Sequence, residues 1–183
     1  MIFVRGVIVF MSLETRKRIA KAFKKLVYKD GFKHTTVSKI MKVCKMRRQT
    51  FYEYFYDKYD LLDWTLNYIL EENVDENLNY LSWKEIIRLT FYEIDVNAKF
   101  YRDVFCTQNE VDLTKIIAYH FQILLFHLLE KSDLMQNKSV KAYVETSCLG
   151  IASTITHNLI TKQPQEYDVL AEKVIQAVKF SLK

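Results

Sequence analysis

Arg47-Arg48-Gln49-Thr50 carries the most chemistry of any run in this 183-residue chain. An arginine guanidinium can bond the major-groove edge of guanine, and a glutamine amide that of adenine. A threonine methyl can meet the methyl of thymine. Such side chains read bases when they stand on the exposed side of a short helix. Tyr52 and Tyr54 carry hydroxyls at the edge of that helix, and Lys58 falls in the first turn of the next. Hydroxyls and ammonium groups in such places hold phosphates. Upstream, Thr36 is a natural N-cap for the helix that precedes the reading helix. The DNA-contacting set expected is Thr36, Arg47, Arg48, Gln49, Thr50, Tyr52, Tyr54 and Lys58.

The flanking residues supply the frame. Val37, Ile40, Met41 and Cys44 recur at helical spacing, and Phe51, Tyr54 and Phe55 form a second apolar face. The stretch from 35 to 62 therefore reads as helix, tight turn, helix and the start of a third. A longer helix over Leu13 to Lys29 comes before it. Ile19, Phe23, Leu26 and Val27 face inward there, with Lys17, Arg18, Lys21, Lys24 and Lys25 around the outer side. Asp30-Gly31 ends it.

This segment resembles the DNA-binding signature of the TetR family of bacterial regulators. The likeness rests on Thr36-Val37 and Ile40, small Cys44, apolar Met46, Thr50-Phe51-Tyr52, Tyr54-Phe55, and Asp57-Lys58 before Leu61-Leu62. One residue departs from the pattern: the turn usually holds glycine, and this chain has Lys45. A side chain there is strained if the backbone is left-handed. The Arg-Arg-Gln run, Ile19 to Lys24 and Asn97 to Phe105 are also similar to a Firmicutes subgroup that activates dihydroxyacetone-kinase operons. That resemblance implies a dihydroxyacetone-binding co-activator protein as partner and makes the body a docking surface.

Charge agrees with a nucleic-acid partner. The net charge is +5. Residues 1–60 hold 15 Lys and Arg against 5 Asp and Glu, or +10; residues 61–183 hold 12 against 17, or −5. A basic head on an acidic body suits a polyanion ligand. Three glycines and one proline predict a nearly all-helical chain. Cys44, Cys106 and Cys148 are scattered among apolar residues, as small buried hydrophobes are, and their odd number points to the reducing cytosol. His120 and His127, seven apart, and His157 are expected in a core or an interface. No nucleophile motif, phosphate loop or metal-ligand spacing occurs, so neither catalysis nor a cofactor is expected.

The fold class expected is all-α: a three-helix helix-turn-helix head, 12–58, fused through helix four to a helical bundle, 59–183. Helix four runs from an Asp57 cap to about Tyr80. Ser82-Trp83-Lys84-Glu85 opens helix five as a capping box. Later helices span Phe100 to Phe105, Leu113 to Glu130, Ser139 to Thr161 and Glu166 to Leu182. Tyr143, Ser147, Gly150, Ile151, Thr154 and Asn158 form a stripe on the penultimate helix, and Val169, Val174, Ala177, Val178 and Leu182 on the last. The resemblance makes these two helices a homodimer interface, with Gly150 and Ala152 allowing close approach. The same stripes can equally face the subunit's own core. Residues 1–10 are apolar but too short to span a membrane. They read as a tail ahead of a natural start at Met11, or else as a strand-like or helical arm.

Three functions fit: an operator-binding regulator working with a protein partner, a repressor released by a small molecule, and a basic interaction module without operator specificity. Tyr92, Phe100, Tyr101, Tyr119 and His120 either line a ligand pocket or belong to the core, with core the stronger reading.

Overall fold

The computed structural model describes residues 2–105, 110–130 and 139–181, with side chains from residue 12 onward. Among them are nine α-helices and no strand: α1 (Ile2–Asp30), α2 (Val37–Cys44), α3 (Arg48–Tyr52), α4 (Lys58–Asn73), α5 (Trp83–Val96), α6 (Ala98–Phe105), α7 (Leu113–Leu129), α8 (Ser139–Ile160) and α9 (Tyr167–Ser181). The all-α expectation holds. The chain separates into two compact units, Met1–Thr65 and Leu66–Lys183, so the division falls inside α4.

In the first unit, α1 is helical from Ile2, in line with the helical one of the alternatives for residues 1–10. The reason is local: apart from Gly6 the segment carries no helix breaker, and it continues without interruption into a strong helix. Ile19, Phe23 and Val27 of α1, Ile40, Met41 and Cys44 of α2 and Phe51 of α3 are all buried, and α2 packs on both α1 and α3. Phe51 packs on Phe55, and Phe55 on Trp64, with ring centres 5.6 and 5.8 Å apart. Asp57 Oδ1 accepts from the backbone N–H groups of Tyr59 and Asp60 at 2.8 and 2.9 Å. Asp60 in turn accepts from Tyr56 N–H at 2.7 Å. This exchange fixes the start of α4.

Helix α4 stops at Asn73, short of the expected Tyr80, and a 3-10 turn follows at Asp75–Asn77. An asparagine side chain ends it. Asn77 Nδ2 donates to Glu72 O at 2.8 Å and to Asn73 O at 3.3 Å, satisfying carbonyls that further helix would have used.

In the second unit α7 lies along α8, and α5 along α9. Ser82 and Glu85 form the expected capping box at the start of α5. Phe91, Phe100, Tyr101, Phe121, Cys148 and Ile155 fill the core. No helix among the described residues is long and apolar enough to cross a membrane.

Candidate nucleic-acid interface

Thr36 sits in extended conformation at the N-cap of α2, and its Oγ1 accepts from Lys39 N–H at 3.3 Å. The helix ends at Lys45, whose φ of 56° and ψ of 40° are left-handed. Lys45 is the one non-glycine residue with positive φ among those described. A Cβ in this region costs about 1–2 kcal/mol relative to glycine. The Lys45 N–H and Met46 N–H donate back to Lys42 O and Met41 O, which closes the turn.

Arg47 is the N-cap of α3, and Arg47, Arg48 and Gln49 are all exposed. Thr50 and Tyr54 are half-buried and Tyr52 is exposed. Arg48 donates from its guanidinium to Tyr52 Oη at 3.0 Å, and its charge lies 5.7 Å from the centre of that ring. The pair is one turn apart, so the tyrosine braces the arginine along the exposed edge of α3. Phe51 anchors the opposite face, fully buried. One short helix thus has an apolar inner side and a polar outer side, the arrangement a base-reading helix needs.

Lys58 stands apart from this row. Its ammonium donates to Phe32 O at 3.2 Å and covers the Phe32 ring at 4.3 Å. Burial lowers its pKa, and the Asp57 carboxylate opposes that shift. Sequence reasoning could not see this contact, because its partners are 26 residues apart.

The residues read as ligand-pocket candidates do not converge. Phe100, Tyr101 and His120 are buried, whereas Tyr92 and Tyr119 are exposed. His120 Nδ1 lies 2.9 Å from Asp75 Oδ1, and Nε2 lies 3.4 Å from Asn67 Oδ1. This cluster of a buried histidine with two half-buried partners left no mark in the sequence pattern. His127 is half-buried and His157 exposed. No group of three metal-ligating side chains occurs among the described residues. Cys44 and Cys148 are buried with raised pKa values, Cys148 pushed up to about 12 by burial. Cys106 lies outside the described residues.

Between α8 and α9 a groove of about 460 Å³ is lined by Tyr143, Ser147, Gly150, Thr154, Val174 and Ala177 among others. A Cβ built on Gly150 would meet nothing within 4 Å. Ala152, expected on the same face, is instead fully buried in the subunit's own core.

A basic helix-turn-helix head and an all-helical body define a class, the helix-turn-helix regulators. Residues 19–63 match the family model described as bacterial regulatory proteins of the tetR family. The chain is 35% identical over 127 residues to the HTH-type dhaKLM operon transcriptional activator DhaS of Lactococcus lactis subsp. lactis (strain IL1403). That match takes in 69% of this chain and 65% of the relative, so it spans slightly under two thirds of the relative's length. The solved structure of a dihydroxyacetone kinase operon activator DhaS superposes with a TM-score of 0.75 at 26% identity, over 91% of this chain and 95% of that one. The fatty acid degradation regulator FadR from Bacillus halodurans shares the fold, with a TM-score of 0.62 at 18% identity over 89% and 93% of the two chains. Residues 19–63 thus carry the DNA-binding signature of the tetR family, and the relatives matched over longer stretches are described as transcription regulators.

Proposed function

We propose that the protein is a sequence-specific transcription regulator that binds an operator as a homodimer and activates dihydroxyacetone-kinase genes. The observation that carries this reading is the outer side of α3, where Arg48 is braced by Tyr52 beside exposed Arg47 and Gln49. A side chain held in place loses less freedom on binding, which favours base discrimination. Lys58, Tyr54 and Thr36 are the proposed phosphate contacts. One reading helix touches few bases, so a second copy is needed to reach the other half-site. The α8–α9 groove, open at Gly150, is the face offered for that copy.

The likeness to DhaS supports the operon and the direction of control. Its implied consequence is a dihydroxyacetone-binding protein that docks on the body, around α6 and α7, and favours the DNA-competent dimer. A partner that bound both states equally would shift nothing. The test begins with duplexes selected by the protein from a random pool. Anisotropy titration of a selected duplex against its scrambled counterpart should show preference for the first. Equal affinities would leave a basic interaction module instead.

A second reading has one observation in its favour. A cleft of about 870 Å³ between α5 and α9, lined by Phe91, Tyr92, Tyr167, Arg88 and Asp95 among others, has the size of a small-molecule site. It would make the protein a repressor released by a ligand. Calorimetry with candidate metabolites separates the two.

A further inference from the structure

A second positive surface lies on the first unit, off the outer row of α3. Arg18, Lys21 and Lys25 of α1 and Lys45 of the turn line a cleft of about 340 Å³ over Val43 and Cys44. All four cations are exposed, and no carboxylate lines the cleft. Arg18 is held in place by donating to Cys44 O at 3.4 Å. Lys21, Lys25 and Lys45 make no ion pair among the described residues. Lysines one turn apart on a helix repel each other. Lys45 adds the strain of a left-handed backbone that glycine would relieve. Strain and uncompensated charge gathered in one place mark a surface kept for a ligand.

We infer that this cleft is a second phosphate-binding site, which grips the DNA backbone beside the groove that α3 enters. The inference rests on the operator-binding reading. Position identifies the ligand. Lys45 is two residues before Arg47, which caps the N-terminal end of α3. That end of a reading helix approaches the base edges most closely, so the wall of the groove is within reach of the turn. Lys21 and Lys25, four residues apart along α1, extend the positive strip away from that point. With Lys58 and the tyrosines beyond the other end of α3, the head would hold backbone on both sides of the reading helix.

Lys45→Gly is an informative variant, because it removes the charge and the strain together. Loss of DNA affinity with unchanged or higher melting temperature then excludes lost stability as the cause, and the salt slope reads the charge. The triple variant Lys21→Gln, Lys25→Gln, Lys45→Gly is compared with wild type on a selected operator duplex and on its scrambled counterpart, between about 50 and 200 mM salt. Affinity should fall by the same factor on both duplexes. The slope of log affinity against log salt should drop by about 0.9 for each phosphate no longer neutralised, approaching three units for all three. A wild-type slope in the triple variant overturns the proposal. So does an unchanged slope accompanied by lost binding to poly-L-glutamate, which would assign the cleft to an acidic protein. Failure of the operator reading looks different: wild type would then not distinguish the duplexes, while the slopes could still be compared.

Discussion

The ammonium of Lys58 donates to the carbonyl of Phe32 at 3.2 Å and lies 4.3 Å from the centre of that residue's ring. It ties the loop after α1 to the first turn of α4. A phosphate drawn to this ammonium would compete with the carbonyl. Lys58→Ala is expected to weaken specific and non-specific DNA equally and to lower the salt slope by about 0.9. Loss of the tie to Phe32 should also cost about 1 kcal/mol of stability. Salt titrations and thermal unfolding of the same variant read both effects, and a loss confined to one operator sequence would refute the phosphate role.

Base readout is expected from Arg48 and Gln49. Replacing either with alanine should cost about 1–3 kcal/mol on the operator and relax the preference at the contacted base. Tyr52→Phe removes the hydroxyl that accepts from Arg48 and leaves the ring. It should weaken operator binding by less than Arg48→Ala does. Competition with single-base operator variants measures each, and wild-type affinity in both alanine variants would exclude α3 as the reader.

The two buried thiols respond to pH and to reagents in a foreseeable way. Burial holds the Cys148 thiol up to about 12, against an ordinary value of 9.0. The folded state therefore keeps a proton that the unfolded state loses. The resulting stability is intact below pH 9 and is lost as pH rises through the folded value. In a Cys106→Ser background, native protein at pH 8 should leave Cys148 unlabelled by a thiol reagent, and unfolding should expose it. Rapid native labelling of Cys148, located by mass spectrometry, would contradict its burial.

Local signals were the legible ones. Thr36, Asp57 and the Ser82–Glu85 box each act on a backbone N–H two or three residues away, so a short string of residue types reveals them. Lys45 could be singled out because its strain belongs to one residue. Contacts that join distant segments could not be read: Lys58 on Phe32, His120 on Asp75, and Arg18 on Cys44. Face assignment also failed where small residues blur the stripe. Ala152 and Gly150 are two positions apart on α8, yet one is buried and the other open. The end of α4 was missed because no glycine or proline marks it: the Asn77 side chain takes the carbonyls that continued helix would use.

Gly150 gives a test of assembly that spares the fold. Space around it is open in the single chain and the residue is exposed, so the Cβ introduced by Gly150→Glu meets no intramolecular obstacle. In a dimer built on the α8–α9 groove the same side chain would overpack the interface and bury a charge. Wild type should be a dimer at micromolar concentration by light scattering, and the variant a folded monomer with weakened operator binding. A monomeric wild type would remove the groove as an interface.

The nature of the signal is the remaining step. The aromatic residues with the most polar character do not share a cavity: Tyr101 and His120 are buried, and Tyr119 and Tyr92 face outward. The cleft between α5 and α9 is open, and an Arg88–Glu172 ion pair at 2.6 Å lies across its lining. A triose is small and highly polar. It needs convergent donors and acceptors in an enclosed site to outcompete water, and the polar side chains of this open cleft, Arg88, Asp95, Asp168, Glu172, Lys173 and Gln176, are all exposed. The purified protein is therefore expected to bind no triose tightly. Its operator affinity should change when a separate dihydroxyacetone-binding protein is added with its sugar, through contacts on α6 and α7. Calorimetry on the purified chain, followed by operator titration with and without the partner, decides between the routes. Stoichiometric binding of a small metabolite, with a matching change in operator affinity, would sink the protein-partner route and return the signal to the α5–α9 cleft.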